Sequence, residues 1–243
     1  AALGTLVFSL IEAPERGWGD PVILAGFGLA AALTGAFVAW ELRTSDPMLD
    51  MAFFRNRRFS IPSLAIGIQF FALFGSIFAM TQYLQYAHGY SALEAGVVMS
   101  PLALGLIAGA RSGVRIAAHK GTSRIVAAGL FGTGCLLMTA LAWSPDTSPW
   151  ILSPWFFAVA VCMGWVMAPA TAAVMGAVPP EKAGVASAMN DVTRQVGGSL
   201  GTAVIGSFIA TLFTAGMDED VASLPEPARR AAEESIGQAQ AVA

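Results

Sequence analysis

A chain of 243 residues that is 56% hydrophobic and 12% charged, with a mean hydropathy of +0.65, carries about half the charged fraction of an ordinary soluble domain. A net charge of −3, a pI near 5.3 and the lack of any basic tract exclude a nucleic-acid-binding surface. The apolar residues gather in long runs instead of alternating or keeping one helical stripe, which excludes a soluble globular fold.

A helix that crosses the hydrocarbon of a bilayer needs roughly 20 mostly apolar residues. The first run, Ala1–Ile11, is too short and lacks a basic segment before it, so it reads as the end of a span and not as a signal peptide. Six complete candidates follow in chain order: Val22–Trp40, Ser60–Tyr83, Ala92–Ala110, Ile125–Trp143, Trp150–Val178 and Gln195–Phe213. Breaker residues separate them in "EAPERGWGDP" (12–21), "RTSDPMLD" (43–50), "HGYS" (88–91), "SPDTSP" (144–149) and "PP" (179–180). The prediction is an all-α membrane protein, a polytopic helical bundle with six complete transmembrane helices plus one truncated helix. After Phe213 the chain turns acidic and then mixed; Pro225-Glu226-Pro227 would break a helix, and "ARRAAEES" beyond it suits a short exposed one.

Basic loops stay on the cytoplasmic side. Alternate connections hold Arg43, Arg55, Arg57 and Arg58, then Arg111, Arg115, Lys120 and Arg124, then Lys182, whereas the opposite set holds only Arg16. Nine against one places the first set inside and the tail after Phe213 outside.

The stretch "GVASAMNDVTRQVGGSLGTAVIGS" (184–207) sets Asn190, Asp191, Arg194 and Gln195 together near the start of an otherwise small and apolar run. The run Gln195–Phe213 nearly fills a core of about 30 Å at about 1.5 Å per residue, so a helix starting near Glu181 leaves Arg194 at the boundary. Asp191 and Arg194 are spaced i, i+3 and Asn190 and Arg194 i, i+4, so all three share a face and can hydrogen-bond. Two readings stay open: a self-compensated interfacial cluster with a snorkelling arginine, or the lining of an inward-opening aqueous cavity. Beyond them Gly197 and Gly201 repeat the GxxxG spacing, as do Gly105, Gly109 and Gly113, and such faces let helix backbones approach closely in lipid. Gln69, near the middle of Ser60–Tyr83, must find an internal partner and is a cavity candidate. Arg111, Arg115 and His119 fall on one helix face at i, i+4 and i+8, which fits topological anchoring or a gating latch.

Other signals are weak. "GFGLAA" (26–31) matches a dinucleotide fingerprint but has no strand before it. No phosphate-binding loop exists. His88 and His119 fall on opposite membrane sides, Cys135 and Cys162 read as unpaired small hydrophobes, and the scattered methionines read as packing. The residues call for no cofactor, no metal and no enzyme chemistry.

Three pieces carry a resemblance: "YAHGYSALEAGVVMSPLALG" (86–105), the basic loop "GVRIAAHKGTSRIVAAG" (113–129) and "GWVMAPATAAVMGAVPPEKAGVASAMNDVTRQVGGSLGTAVIGS" (164–207). In order and spacing they resemble the major facilitator superfamily, in particular the fourteen-helix drug:proton antiporter branch of EmrB/QacA type. "AFVAWELRTSDPMLDMAFFRNRRFS" (36–60) is similar to the joint between that branch's two central helices and its second domain. The resemblance implies that residues 1–41 hold the end of one central helix and one complete linker helix, 42–59 a cytoplasmic connection, 60–213 five helices of the second-domain bundle, and 214–243 an extracytoplasmic polar tail. It implies that the first domain, with the acids of proton coupling, and a final helix lie outside this chain. In the loop Gly121 matches the family's second motif glycine, whereas Ala118 and His119 stand where an acid and an arginine would be. The function implied is proton-coupled multidrug efflux by alternating access, with the lipid bilayer, the N-terminal half of the same protein, protons and small hydrophobic or cationic molecules as partners. Gln69, Asn190, Asp191 and Arg194 are then the expected cavity or gate contacts, and Arg111, Arg115, His119, Lys120 and Arg124 the cytoplasmic basic loop. An uptake facilitator for a small polar solute and a non-transporting membrane scaffold are the alternatives.

Overall fold

The computed structural model describes residues 1–44, 51–144 and 147–220, so most of "RTSDPMLD", Pro145–Asp146 and the tail segment around Pro225 lie outside the described residues. Among the described residues eight α-helices form: α1 (Ala2–Arg16), α2 (Pro21–Glu41), α3 (Arg57–Gln82), α4 (Ala92–Met99), α5 (Pro101–Lys120), α6 (Thr122–Thr139), α7 (Pro149–Gly176) and α8 (Ala183–Asp220). Six helical stretches are long and apolar enough to cross a membrane: Pro21–Glu41, Arg57–Ala87, Ala92–Lys120, Thr122–Ala142, Trp150–Gly176 and Pro180–Phe213.

Local chemistry sets the ends. The Asp20 carboxylate accepts from Val22 N–H at 2.7 Å and Pro21 opens α2, while Asn56 accepts from Arg58 N–H at 3.0 Å to open α3. Ser91 and Glu94 form a reciprocal capping box at α4. Pro101 cannot donate its missing N–H, and the span Ala92–Lys120 divides there into α4 and α5. Gly121, at φ +89°, turns α5 directly into α6.

Two expected boundaries move. The connection read as 12–21 shrinks, because α1 runs on through Pro14 to Arg16, where a 2.8 Å Arg16–Glu12 pair supports the last turn and Gly17 (φ +93°) ends it. At the other end α8 continues beyond Phe213 to Asp220, since no proline occurs before that point. A short 3-10 turn at Pro180–Lys182 precedes α8, close to the start expected near Glu181.

Lipid gives helices no hydrophobic reason to pair, so close backbone approach must supply the attraction. Along α5 the glycines Gly105, Gly109 and Gly113 meet Phe157, Val161 and Trp165 of α7 in turn. A Cβ on Gly109 would overlap the Val161 carbonyl, and one on Gly113 would stand 3.0 Å from Trp165 Cα. Residue numbers rise together on both helices, so α5 and α7 are parallel. In the same way Gly197 and Gly201 of α8 meet the backbone at Gly67 and Phe71 of α3, a second parallel pair. Helix α6 packs on α7 through Gly129 against the Cys162 carbonyl. Two layers of core join the pairs. One gathers Phe59, Ile66, Ile125, Val166, Val174, Ala186 and Met189; the other gathers Leu73, Leu84, Ala95, Leu152, Phe156 and Met163.

The first layer lies at the end carrying Arg57, Arg58, Arg124 and Lys182, the last with its ammonium 5.3 Å from the Phe53 ring centroid. The second ends in an aromatic group in which Tyr83 OH donates to Ser144 O at 2.6 Å and Trp155 Nε1–H donates to Thr139 Oγ1 at 2.9 Å. Basic and aromatic residues thus mark opposite ends of the bundle.

Candidate functional site

Inside a bundle held by glycines and aliphatic side chains, one helix face is polar. On α8, Asp191, Gln195, Ser199 and Thr202 recur every three or four residues and so form one stripe, with Arg194 and Gly198 beside it. Opposite stand Phe70 and Phe74 of α3, spaced i, i+4, with ring centroids 6.2 Å apart and planes inclined by 22°. Stripe and rings line an open cleft of ≈ 500 Å³. Ligand sites of this size are lined mainly by apolar and aromatic groups with a few placed polar ones. On the other flank of the same helix pair, a groove along Leu64, Ile68, Val192, Val196 and Leu200 is almost wholly apolar.

Arg194 organises the cleft. Its Nη2–H donates to Thr171 Oγ1 of α7 at 3.0 Å, and its guanidinium lies 5.3 Å from the Phe70 centroid, a cation–π arrangement. Nη1 is 4.0 Å from Asp191 Oδ1, an ion pair without a hydrogen bond, and Nε is buried with no partner. The expected hydrogen-bonded trio on α8 is therefore not what forms. Asn190 is 5% exposed with an unpartnered Oδ1, and Asp191 faces outward with a side chain 68% exposed. The long guanidinium side chain leaves its own helix for a hydroxyl and a ring face on two others, which its neighbours on α8 cannot offer.

Gln69 is fully buried, with neither amide atom hydrogen-bonded. It points into the packed interior of α3, on the face shared by Ile66 and Leu73, and does not line the cleft. The basic set is exposed. Arg111, Arg115, His119 and Lys120 lie on α5 itself and Arg124 in the first turn of α6. The register that pairs Gly109 with Val161 and Gly113 with Trp165 sets Arg111 level with Met163, halfway along α7. Gly105, Gly109, Gly113, Gly197 and Gly201 are all buried contact glycines.

Thr171, Phe70, Phe74, Ser199 and Thr202 were not singled out by sequence. The signal available was the polar repeat on α8 within an apolar run. Among the described residues no group of three or more His, Cys, Asp or Glu side chains gathers to hold a metal.

Six membrane-length helices, two parallel pairs built on small residues and one polar cleft define a multi-pass membrane protein with a solute-sized site. Residues 1–202 match the family model of the Major Facilitator Superfamily, and the chain belongs to that family. It is a multi-pass protein of the cell membrane. The chain is 37% identical over 217 residues to the tetracenomycin C resistance and export protein of Streptomyces glaucescens, covering 86% of this chain and 39% of that protein. It is similar at 29% over 236 residues to the multidrug resistance protein Stp of Mycobacterium tuberculosis, covering 94% and 43%. It is similar at 30% over 210 residues to a methylenomycin A resistance protein of Bacillus subtilis, covering 86% and 45%. The chain thus spans about two fifths of the length of these relatives.

Proposed function

We propose that this chain is the second-domain portion of a proton-coupled exporter that expels small amphipathic molecules by alternating access. The observation that carries the reading is the polar stripe of α8 facing the Phe70–Phe74 wall, held in place by the Arg194–Thr171 bond between α8 and α7. Polar side chains inside a membrane bundle are costly and mark solute or ion paths. The relatives named for drug resistance and export support a transporter in preference to an enzyme or a scaffold. Basic residues at one end of the bundle support a cytoplasmic placement for that end, with the cleft reached from there. The Phe70–Phe74 wall beside the polar stripe favours export of amphipathic compounds over uptake of a small polar nutrient.

The test uses the complete gene that encodes this chain. Arg194→Ala is expected to abolish dye efflux that depends on a proton gradient while membrane insertion stays intact. Wild-type efflux from that variant would remove Arg194 from the mechanism, and accumulation of a labelled sugar or acid without dye export would replace efflux with uptake.

A further inference from the structure

The geometry points to the α3–α8 cleft as a binding site for a planar aromatic molecule that carries an acidic oxygen on its edge, a class narrower than small hydrophobic or cationic molecules. The inference rests on the exporter reading above for its biological use, but its evidence is the cleft's own chemistry. The cleft follows α8 from Asp191 to Thr202, about 16 Å at about 1.5 Å per residue, long enough for several fused rings. Phe70, already covered by the Arg194 guanidinium, and the half-exposed Phe74 supply one wall, and Phe74 is the ring left open to a flat ring system.

The opposite wall offers donors. A guanidinium has five N–H groups, and here only Nη2 has an acceptor within hydrogen-bond distance, the neutral Thr171 hydroxyl. Asp191 stays 4.0 Å from Nη1 and largely in solvent, so its charge only partly offsets that of Arg194. A phenolate, enolate or carboxylate oxygen can take the Nη1 edge as a short charge-assisted bond. Gln195 and Ser199 supply further donors along the same wall.

A flat cation is disfavoured in the same place. The face of Phe70 that would attract it already carries the Arg194 guanidinium, 5.3 Å from the ring centroid, so a cationic ring stacking there meets a like charge. An anionic ring extends the alternation of cation and π-system. Phe70, Arg194 and Thr171 come from three helices, α3, α8 and α7, so the guanidinium is positioned before any ligand arrives.

The experiment places the product of the complete gene that encodes this chain in nanodiscs of uncharged phosphatidylcholine and titrates it with fluorescein and with rhodamine 6G, xanthene dyes of similar skeleton and opposite charge, by fluorescence anisotropy against empty nanodiscs. Fluorescein is expected to bind roughly tenfold or more tighter than rhodamine 6G. Arg194→Gln should weaken fluorescein roughly ten- to hundredfold and, by removing the like charge, tighten rhodamine 6G. Asp191→Asn, which keeps the fold because the side chain is exposed, should tighten fluorescein by removing the competing carboxylate. Preference for rhodamine 6G, indifference of fluorescein to Arg194→Gln, or weaker fluorescein binding by Asp191→Asn each overturns the assignment. Binding as expected without dye export by the complete gene leaves the site and sinks the exporter reading. Export of cationic dyes with no fluorescein binding does the reverse.

Discussion

Gln69 buries an amide of α3 without a hydrogen bond, and a buried amide in that state costs about 1–3 kcal/mol. A residue retained only for packing would lose that cost on becoming apolar. Gln69→Leu is therefore expected to raise the melting temperature of the detergent-solubilised chain. The same substitution in the complete gene should lower efflux, because the amide gains partners only when the helices around it rearrange. A Gln69→Leu protein that is more stable and exports normally would reduce Gln69 to a tolerated polar residue. Asp191 sits at the other extreme. Its pairing with Arg194 is long and two-thirds exposed, so Asp191→Asn should change stability by less than about 1 kcal/mol, read by thermal unfolding in detergent.

At the scale of the element, the glycine registers decide which helices touch. Gly109 leaves no room for a side chain because the atoms facing it belong to the Val161 backbone, which cannot swing aside. Gly109→Leu must separate α5 from α7, and overpacking of this kind costs typically about 1–3 kcal/mol or more. Gly134 is on α6 with nothing near its missing Cβ, so Gly134→Ala should be neutral or stabilise by about 0.5–1 kcal/mol through helix propensity. Parallel thermal unfolding of the two variants checks the pair; equal effects would mean that the α5–α7 seam is not what holds the bundle. Gly201, against the Phe71 backbone, should behave as Gly109 does.

For the whole molecule, the two ends of the bundle are chemically distinct and should face opposite sides of the membrane. With Cys135 and Cys162 replaced by alanine, single cysteines at Ser123, beside Arg124, and at Ala87, beside His88, provide exposed reporters at the two ends. An impermeant maleimide is expected to label Ala87→Cys in intact cells and Ser123→Cys only in inverted vesicles. Labelling of both from one side would dissolve the antiparallel order on which the cleft depends. The two parallel pairs, α5 with α7 and α3 with α8, share a design in which a glycine-bearing helix lies along the backbone of its partner. Their helices run in opposite directions across the bundle, the arrangement expected of nested inverted repeats.

Sequence alone determined the spans, because a bilayer demands about 20 apolar residues per crossing and rejects unpaired backbone, and hydropathy records that demand locally. It also determined the small-residue seams, whose GxxxG spacing is set by the helical period within one element. The ends of α1 and α8 were less legible, since a proline or a few acids near a helix end do not by themselves stop it. Only the tertiary structure decided that Gly109 lies on Val161 and Gly201 on Phe71, and these registers set Arg111 halfway along α7. Only it decided that Arg194 bonds Thr171 and lies over Phe70 while keeping a long ion pair to Asp191. Spacing along one helix names the residues that share a face, but a long side chain takes its partners from whichever neighbouring helices the backbone contacts bring within reach.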